Sequence, residues 1–175
     1  MKKHTLIITT AFAFFMLISA QVEAQKFSKL DKSPLDISYY RTNRKSPPMA
    51  KVIYSRPQLK GRDINALAPN GKVWRTGANE ATEIKCYQDL KFGGKTVKAG
   101  TYSLYTIPGD KEWTIILNRD TDVWGAYNYN EQNDVLRVQA SVSTGENTEA
   151  FSIAFDVDHM YLAWGTILVS LPVSK

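Results

Sequence analysis

Short segments of alternating apolar and polar residues, separated by turn residues, are the feature that most constrains the fold of this chain. The clearest segment is residues 151–157, where every second side chain is apolar. A period of two is typical of a β-strand with one face in the core. No stretch after the N-terminal region keeps the apolar period of 3.6 residues that an amphipathic helix requires. The pattern therefore predicts an all-β domain.

Turn residues between these segments predict that neighbouring strands are antiparallel. Gly93 and Gly94 supply the positive φ angles of a tight hairpin. Residues 108–111 form a second turn, which joins predicted strands at 101–107 and 112–118. Further strands are predicted at 51–55, 134–140 and 167–173, with weaker character at 35–41. Only residues 62–68 have helical character, so we predict an antiparallel β-sandwich or a jelly-roll-like barrel with at most one short helix.

The first 24 residues have the composition of a signal peptide. A basic start precedes an apolar run at residues 6–18, and Ala24, or alternatively Ala20, suits a signal peptidase. The run is too short to cross a bilayer comfortably, so no transmembrane anchor is expected. The only cysteine, Cys86, is too far from the cleavage site to carry a lipid anchor. We expect a periplasmic or secreted protein.

Residues 25–50 are basic and interrupted by prolines, which predicts a partly flexible arm before an all-β domain at residues 51–175. The formal net charge of the whole chain, +5, is mild. A nucleic-acid site usually needs a denser basic patch with stacking aromatic residues. No nucleic-acid partner is therefore expected.

The single cysteine is expected to be buried and inert. Alternation places Cys86 on the same strand face as Ile84, and a lone thiol cannot form an internal disulfide. No cofactor and no metal are predicted. Asp156, Asp158 and His159 could ligate a metal, but a short cluster at a strand end is typical of a polar turn.

Polar and aromatic residues concentrate between positions 54 and 82. If the strand that contains Ile84 extends backward in phase, Glu80 and Thr82 face inward, where a carboxylate needs a partner. An arginine fork can hold a carboxylate or an anionic ligand in two parallel bonds. In one interpretation, Arg75, Asn79 and Glu80 form a buried polar network that fixes a loop against the sheet.

In the other interpretation, the same residues open into a ligand-binding cleft. Trp74 and Trp124 would give it apolar walls, although Trp74 would fit equally well in the core. Arg56 or Arg75 would anchor an anionic or hydroxyl-rich ligand. The candidate ligand-binding residues are Arg56, Arg62, Trp74, Arg75, Asn79, Glu80, Trp124 and Tyr127.

Several segments resemble the signature of a known family. They read YSRP at 54–57, KGR at 60–62, GKVWRTGANEAT at 71–82, AGTYSL at 99–104 and TIPG at 106–109. In these segments the chain is similar to the bacterial domain of unknown function 2911, common in envelope proteins of Bacteroidetes. The resemblance covers nearly the whole mature domain and implies no particular activity.

Three functions remain open at this point. An exported non-catalytic β-sandwich module that binds a small molecule, a glycan or an envelope partner fits polar residues that cluster without a catalytic set. A hydrolase would use Glu80 as general acid or base beside a second carboxylate, for which the sequence offers Asp120, Asp122, Asp156 or Asp158. A structural envelope protein would expose apolar patches and form oligomers. The chain contains no nucleophile elbow, zinc helix motif or phosphate-binding glycine loop.

Overall fold

The computed structural model describes residues 25–175. The predicted signal peptide, residues 1–24, lies outside the described residues. Residues 31–175 form one compact unit, and residues 25–30, which are not part of it, contain no helix or strand. Within the described range, no helix combines the length and the apolar character needed to cross a membrane.

The described part of the chain forms one open antiparallel sheet of nine strands. In the sheet the strands follow the order β1-β2-β3-β6-β7-β8-β9-β4-β5, and the helix α1 spans Ile64–Leu67. The antiparallel all-β prediction is confirmed. The strands are β1 (Leu35–Tyr40), β2 (Ala50–Ser55), β3 (Thr82–Cys86), β4 (Leu90–Phe92), β5 (Lys95–Val97), β6 (Gly100–Ile107), β7 (Glu112–Asn118), β8 (Asp134–Phe155) and β9 (His159–Ser174).

The sheet begins inside the segment predicted as a basic arm. β1 pairs with β2 over its whole length, from Leu35 opposite Ser55 to Tyr40 opposite Ala50. The ring of Tyr40 is buried and stacks on Phe155 at 5.4 Å. This anchor is the reason that a segment of basic composition still contributes a strand, and the folded unit therefore starts before residue 51.

Four aromatic side chains fill the centre of the core. The indoles of Trp74 and Trp164 stack at 5.4 Å with an interplanar angle of 7°. Trp113 and Phe151 meet Trp74 edge-on at 6.1 and 5.0 Å. Backbone bonds between Trp74 and Thr106, at 2.7 and 2.9 Å, hold the tryptophan on the inner face of β6. With 5% of its surface exposed, Trp74 is a core residue and not a wall of a ligand cleft.

The long strands β8 and β9 are irregular in the middle, where the sheet bends around this core. Their pairing shifts register twice, between Thr144 and Ser152, and Gly165 has a φ of +55°. Irregular pairing of this kind bends a strand and increases its twist. The first half of β8 therefore continues the sheet from β7, while the second half lies against β1 and β2.

Arg56 joins the end of β2 to the second half of β8. Its Nε donates to the carbonyl of Phe151 at 3.0 Å, and its terminal nitrogens donate to Asp36 Oδ2 at 3.0 Å and to Ser152 Oγ at 2.6 Å. All three guanidinium nitrogens, Nε, Nη1 and Nη2, therefore donate hydrogen bonds within the protein. Arg56 is thus a clamp between strands.

We predict that Trp74→Ala lowers the free energy of unfolding by about 3–5 kcal/mol, because truncation of a buried aromatic leaves a cavity. Denaturation in urea measures this loss. The control Trp124→Ala removes a tryptophan that is 61% exposed, and its unfolding free energy should change by less than about 0.5 kcal/mol. Equal effects of the two variants would contradict the placement of Trp74 in the core.

We predict that Arg56→Lys destabilises the protein by about 1–2 kcal/mol, because an ammonium cannot reproduce the three-way fork and the site is partly exposed. The exposed Arg44→Lys is the matched control and should leave the denaturation midpoint unchanged. An unchanged midpoint in both variants would show that the clamp does not stabilise the fold.

Cys86 lies in the core, as predicted, and burial raises the pKa of its thiol to about 12. The nucleophilic thiolate is therefore scarce at pH 8 in the folded protein. We predict that a disulfide reagent such as DTNB leaves the native protein unmodified at pH 8 and titrates one thiol after denaturation in guanidinium. Rapid reaction of the native protein would show that the thiol is accessible.

Candidate functional site

The backbone between β2 and β3 leaves the extended conformation at two residues. Thr76 has a φ of +57° and Asn79 a φ of +62°, both in the left-handed region. These residues interrupt the alternation of side chains before β3. Thr82 is 1% exposed, as predicted, whereas Glu80, which lies before β3 begins, is exposed to solvent. The prediction that Glu80 faces inward is wrong.

The buried polar network in this region consists of threonines. Thr82 Oγ1 donates to the carbonyl of Thr76 at 2.7 Å, and the hydroxyls of Thr76 and Thr106 bond at 3.2 Å. Gly77 packs closely beside them, since a Cβ there would lie 3.0 Å from the Ser55 carbonyl. These residues, and not Arg75, Asn79 and Glu80, fix the loop against the sheet.

A short bridge brings Glu80 beside Trp124. The Ala81 amide donates to the Val123 carbonyl at 2.9 Å, and the Gly125 amide donates to the Asn79 carbonyl at 3.0 Å. Glu80 and Trp124 are thus a non-hydrogen-bonded antiparallel pair, in which side chains share a face and approach closely. Both side chains are exposed, Trp124 by 61%. Two predicted site residues far apart in sequence therefore come together.

Beside this pair lies a pocket of about 280 Å³, which we call the acidic pocket. Its lining includes three carboxylates and no basic side chain among the described residues. Glu83 Oε1 accepts a hydrogen bond from the Asp122 amide at 2.8 Å, which fixes the loop that carries Trp124. The lining residues are Leu35, Ile53, Tyr54, Ser55, Glu80, Ala81, Glu83, Asp122 and Val123.

The charge in this pocket is opposite to that of the chain as a whole, which is +5. Carboxylates attract cations and accept hydrogen bonds from hydroxyl and amino groups. The hydroxyl of Tyr54 is not available to a ligand, because it is buried and accepts a hydrogen bond from the Ile153 amide at 3.0 Å. On the other side of Glu83, Lys51 and Lys85 line an adjacent groove, so the negative region has a boundary there.

The exposed side chains of β1 extend the apolar part of this surface. Leu35, Ile37 and Tyr39 alternate on the outer face of the strand and are 67%, 42% and 42% exposed. Ile37 lies opposite Ile53, and Ile53 lies opposite Glu83 in the next pair. The apolar row thus leads directly to the acidic pocket.

Three of the predicted site residues lie close to this surface without lining the pocket. Tyr127 is 82% exposed in the loop of Trp124, and its ring lies over Gly125, where a Cβ would be 2.9 Å from the ring. Asn79 contributes its carbonyl to the bridge. Arg75 is half-buried, and its Nε has no hydrogen-bond partner among residues 25–175.

The other predicted residues are separated from the acidic pocket. Arg56 is the clamp and Trp74 is in the core, so neither is placed to anchor a ligand there. Arg62 lines a different cavity, and its Nε and Nη2 donate to the carbonyls of Leu59 and Gln58 at 2.9 and 2.6 Å. No arginine of the described range lines the acidic pocket. Its charged side chains are negative, whereas an arginine anchor would have made the site positive.

The cluster at the start of β9 forms a local pair. His159 Nδ1 lies 2.6 Å from Asp158 Oδ1, and His159 stacks on Tyr161 at 5.7 Å. In the part of the chain that the structure describes, no group of three or more acidic, histidine or cysteine side chains is arranged to hold a metal ion.

The sequence did not indicate Glu83 as a member of the site, and it offered Asp122 only as one of four possible second carboxylates of a hydrolase. Glu83 was expected only as a polar residue on the outer face of a strand. The alternation in β3 could have suggested that this face is shared with Ile53, but the pairing register that aligns them is a tertiary feature. Asp122 lies in a loop, where alternation carries no information.

Comparison with known proteins supports the resemblance seen in the motifs. A family model described as a protein of unknown function, DUF2911, matches residues 33–173. No curated protein and no solved structure matches the chain. The family match starts just before β1 and ends within β9, so it covers the whole sheet. The chain belongs to the DUF2911 family of proteins of unknown function.

Proposed function

We propose that this chain is an exported, non-catalytic β-domain that binds a glycan, neutral or bearing amino groups, through the acidic pocket and Trp124. The observation that carries the proposal is the pairing of Glu80 with Trp124 beside a pocket lined by three carboxylates. Export rests on the basic start and the apolar run of residues 6–18.

The two kinds of side chain suit two parts of a sugar. A tryptophan face packs against apolar surface and attracts cations, and Trp124 offers a largely exposed indole. Carboxylates accept hydrogen bonds from hydroxyl groups and form charge-assisted bonds with ammonium groups. Glu80 and Trp124 are neighbours, so one sugar unit can contact both.

The charges of the pocket disfavour an anionic ligand. Glu80, Glu83 and Asp122 would repel an anion, and the arginine expected to hold one, Arg56, bonds to Asp36 instead. Of the ligand classes predicted from the arginines, the hydroxyl-rich class is the one that agrees with the geometry.

Binding without turnover agrees better with the exposure of the carboxylates than hydrolysis does. A glycosidase keeps its general acid protonated in an apolar surrounding that raises its pKa, and it places a second carboxylate across the scissile bond. Glu80 is exposed, and Glu83 is engaged by the Asp122 amide. These positions serve to hold a ligand at the surface.

We predict that Trp124→Ala and Glu80→Gln each weaken glycan binding by about tenfold or more, since each removes one well-placed contact. Isothermal titration calorimetry with chitosan oligosaccharides, their N-acetylated counterparts and heparin measures the effect. Amino-bearing oligosaccharides should bind more weakly as salt is raised, because the charge contribution is screened. Heparin should not bind the pocket.

Matched controls are Tyr87→Ala, an exposed aromatic outside the pocket, and Glu146→Gln, an exposed carboxylate in β8. Both should bind like the wild type. Unchanged affinity in Trp124→Ala, or preference for heparin, would refute the proposal. If Glu80→Gln kept binding but lost a measurable hydrolysis of the oligosaccharide, the hydrolase alternative would replace it.

A further inference from the structure

A second cavity, the mouth cavity, opens at the end of the sheet where β8 and β9 bend. Its volume is about 660 Å³, and it shares no lining residue with the acidic pocket. The bend residue Gly165 and Ile167 of β9 form one side, and Ile64 of α1 lies opposite them. Small-molecule sites are usually clefts or cavities of about 300 to 1,000 Å³.

Trp113 lines this cavity and has an unused donor. The residue is 1% exposed, and its indole Nε1 is buried without a hydrogen-bond partner among residues 25–175. Buried polar groups in native proteins are rarely left unpaired, because an unpaired donor destabilises the fold. The Nε1 atom itself is covered, so an acceptor that enters the cavity can pair with this donor only after a small shift of the side chains around it.

The rim of the mouth cavity is held in place by hydrogen bonds among its own residues, two from backbone amides to side chains and one between side chains. Asp63 Oδ1 accepts from the Asn65 amide at 2.8 Å, and Asn65 Oδ1 accepts from the Asn70 amide at 2.8 Å. Asn70 Nδ2 in turn donates to Asp110 Oδ1 at 2.6 Å. This chain of bonds orients carboxylate acceptors and amide donors before any ligand arrives, which lowers the entropic cost of binding.

The charged side chains of the rim are partly engaged within the protein and leave hydrogen-bonding atoms for hydroxyl groups. Arg62 is the basic side chain in the lining, and its Nε and Nη2 already donate to the carbonyls of Leu59 and Gln58. Asp63 and Asp110 use one oxygen each in the rim. Asn147, which lies in the irregular part of β8, adds an amide that can both donate and accept.

We infer that the mouth cavity is a second ligand site, for a neutral, hydroxyl-rich small molecule of the size of one or two sugar units. The Trp113 indole donates to a hydroxyl or ring oxygen of the ligand. The Asp63, Asp110 and Asn147 side chains bond to its hydroxyl groups. This site is independent of the glycan surface at Trp124.

The four tryptophans of the chain make a direct test possible. In a nitrogen-15 NMR spectrum each indole N–H gives a separate peak, and single Trp→Phe variants assign the peaks. Titration with glucose, N-acetylglucosamine, maltose and cellobiose should shift the Trp113 peak saturably with at least one of them. The shift should persist in Trp124→Ala, so failure of one site is distinguishable from failure of the other.

Because Trp113→Phe removes a core group and can destabilise the fold, the decisive variant is Asn147→Ala. We expect this variant to bind the saccharide that shifts the Trp113 peak about tenfold more weakly than the wild type does. The matched control Asn128→Ala replaces an exposed asparagine outside the cavity and should bind like the wild type. The inference is overturned if no saccharide moves the Trp113 peak at tens of millimolar, or if Asn147→Ala binds as tightly as the wild type.

Discussion

The stacked pair of Trp74 and Trp164 is the contact on which the rest of this structure depends. The backbone of Trp74 pairs with Thr106 beside β6, and the side chain extends from there into the core. The chain then has to turn away before β3 begins, which it does through left-handed residues at Thr76 and Asn79. The same turn presents Glu80 outward, beside Trp124. The candidate surface is thus a geometric consequence of how the core is filled.

Arg56, which was predicted to anchor a ligand, is bonded within the protein, and carboxylates line the pocket instead. A guanidinium is a good anchor for an anionic ligand, but Arg56 satisfies a carbonyl, a hydroxyl and the carboxylate of Asp36 within the protein. The carboxylates of Glu80 and Glu83 lie where ligands can reach them. In a chain with an excess of positive charge, the proposed ligand surface is consequently acidic.

Sequence periodicity succeeds where a strand is continuous and fails where the backbone changes handedness. The hairpin at Gly93 and Gly94 has positive φ at both residues, as the dipeptide predicted, and β4 and β5 pair across it. Alternation also placed Cys86 and Thr82 inward correctly. The extrapolation failed at Glu80 because β3 begins only at Thr82 and Glu80 pairs with Trp124 in a separate bridge, which a single sequence does not reveal.

By itself, the sequence determined the antiparallel all-β character, the main turns, the buried position of the cysteine and the family, because these depend on local alternation, turn chemistry and contiguous motifs. Only the tertiary structure decided that Glu80 and Trp124 are paired and that Arg56 bonds to Asp36 within the protein. It also decided that a cavity lined by Trp113 forms where β8 and β9 bend. These features depend on strand register and on contacts between residues distant in the chain. Such contacts are set by strand register and by the packing of side chains in the core, and a local sequence pattern contains no information about either.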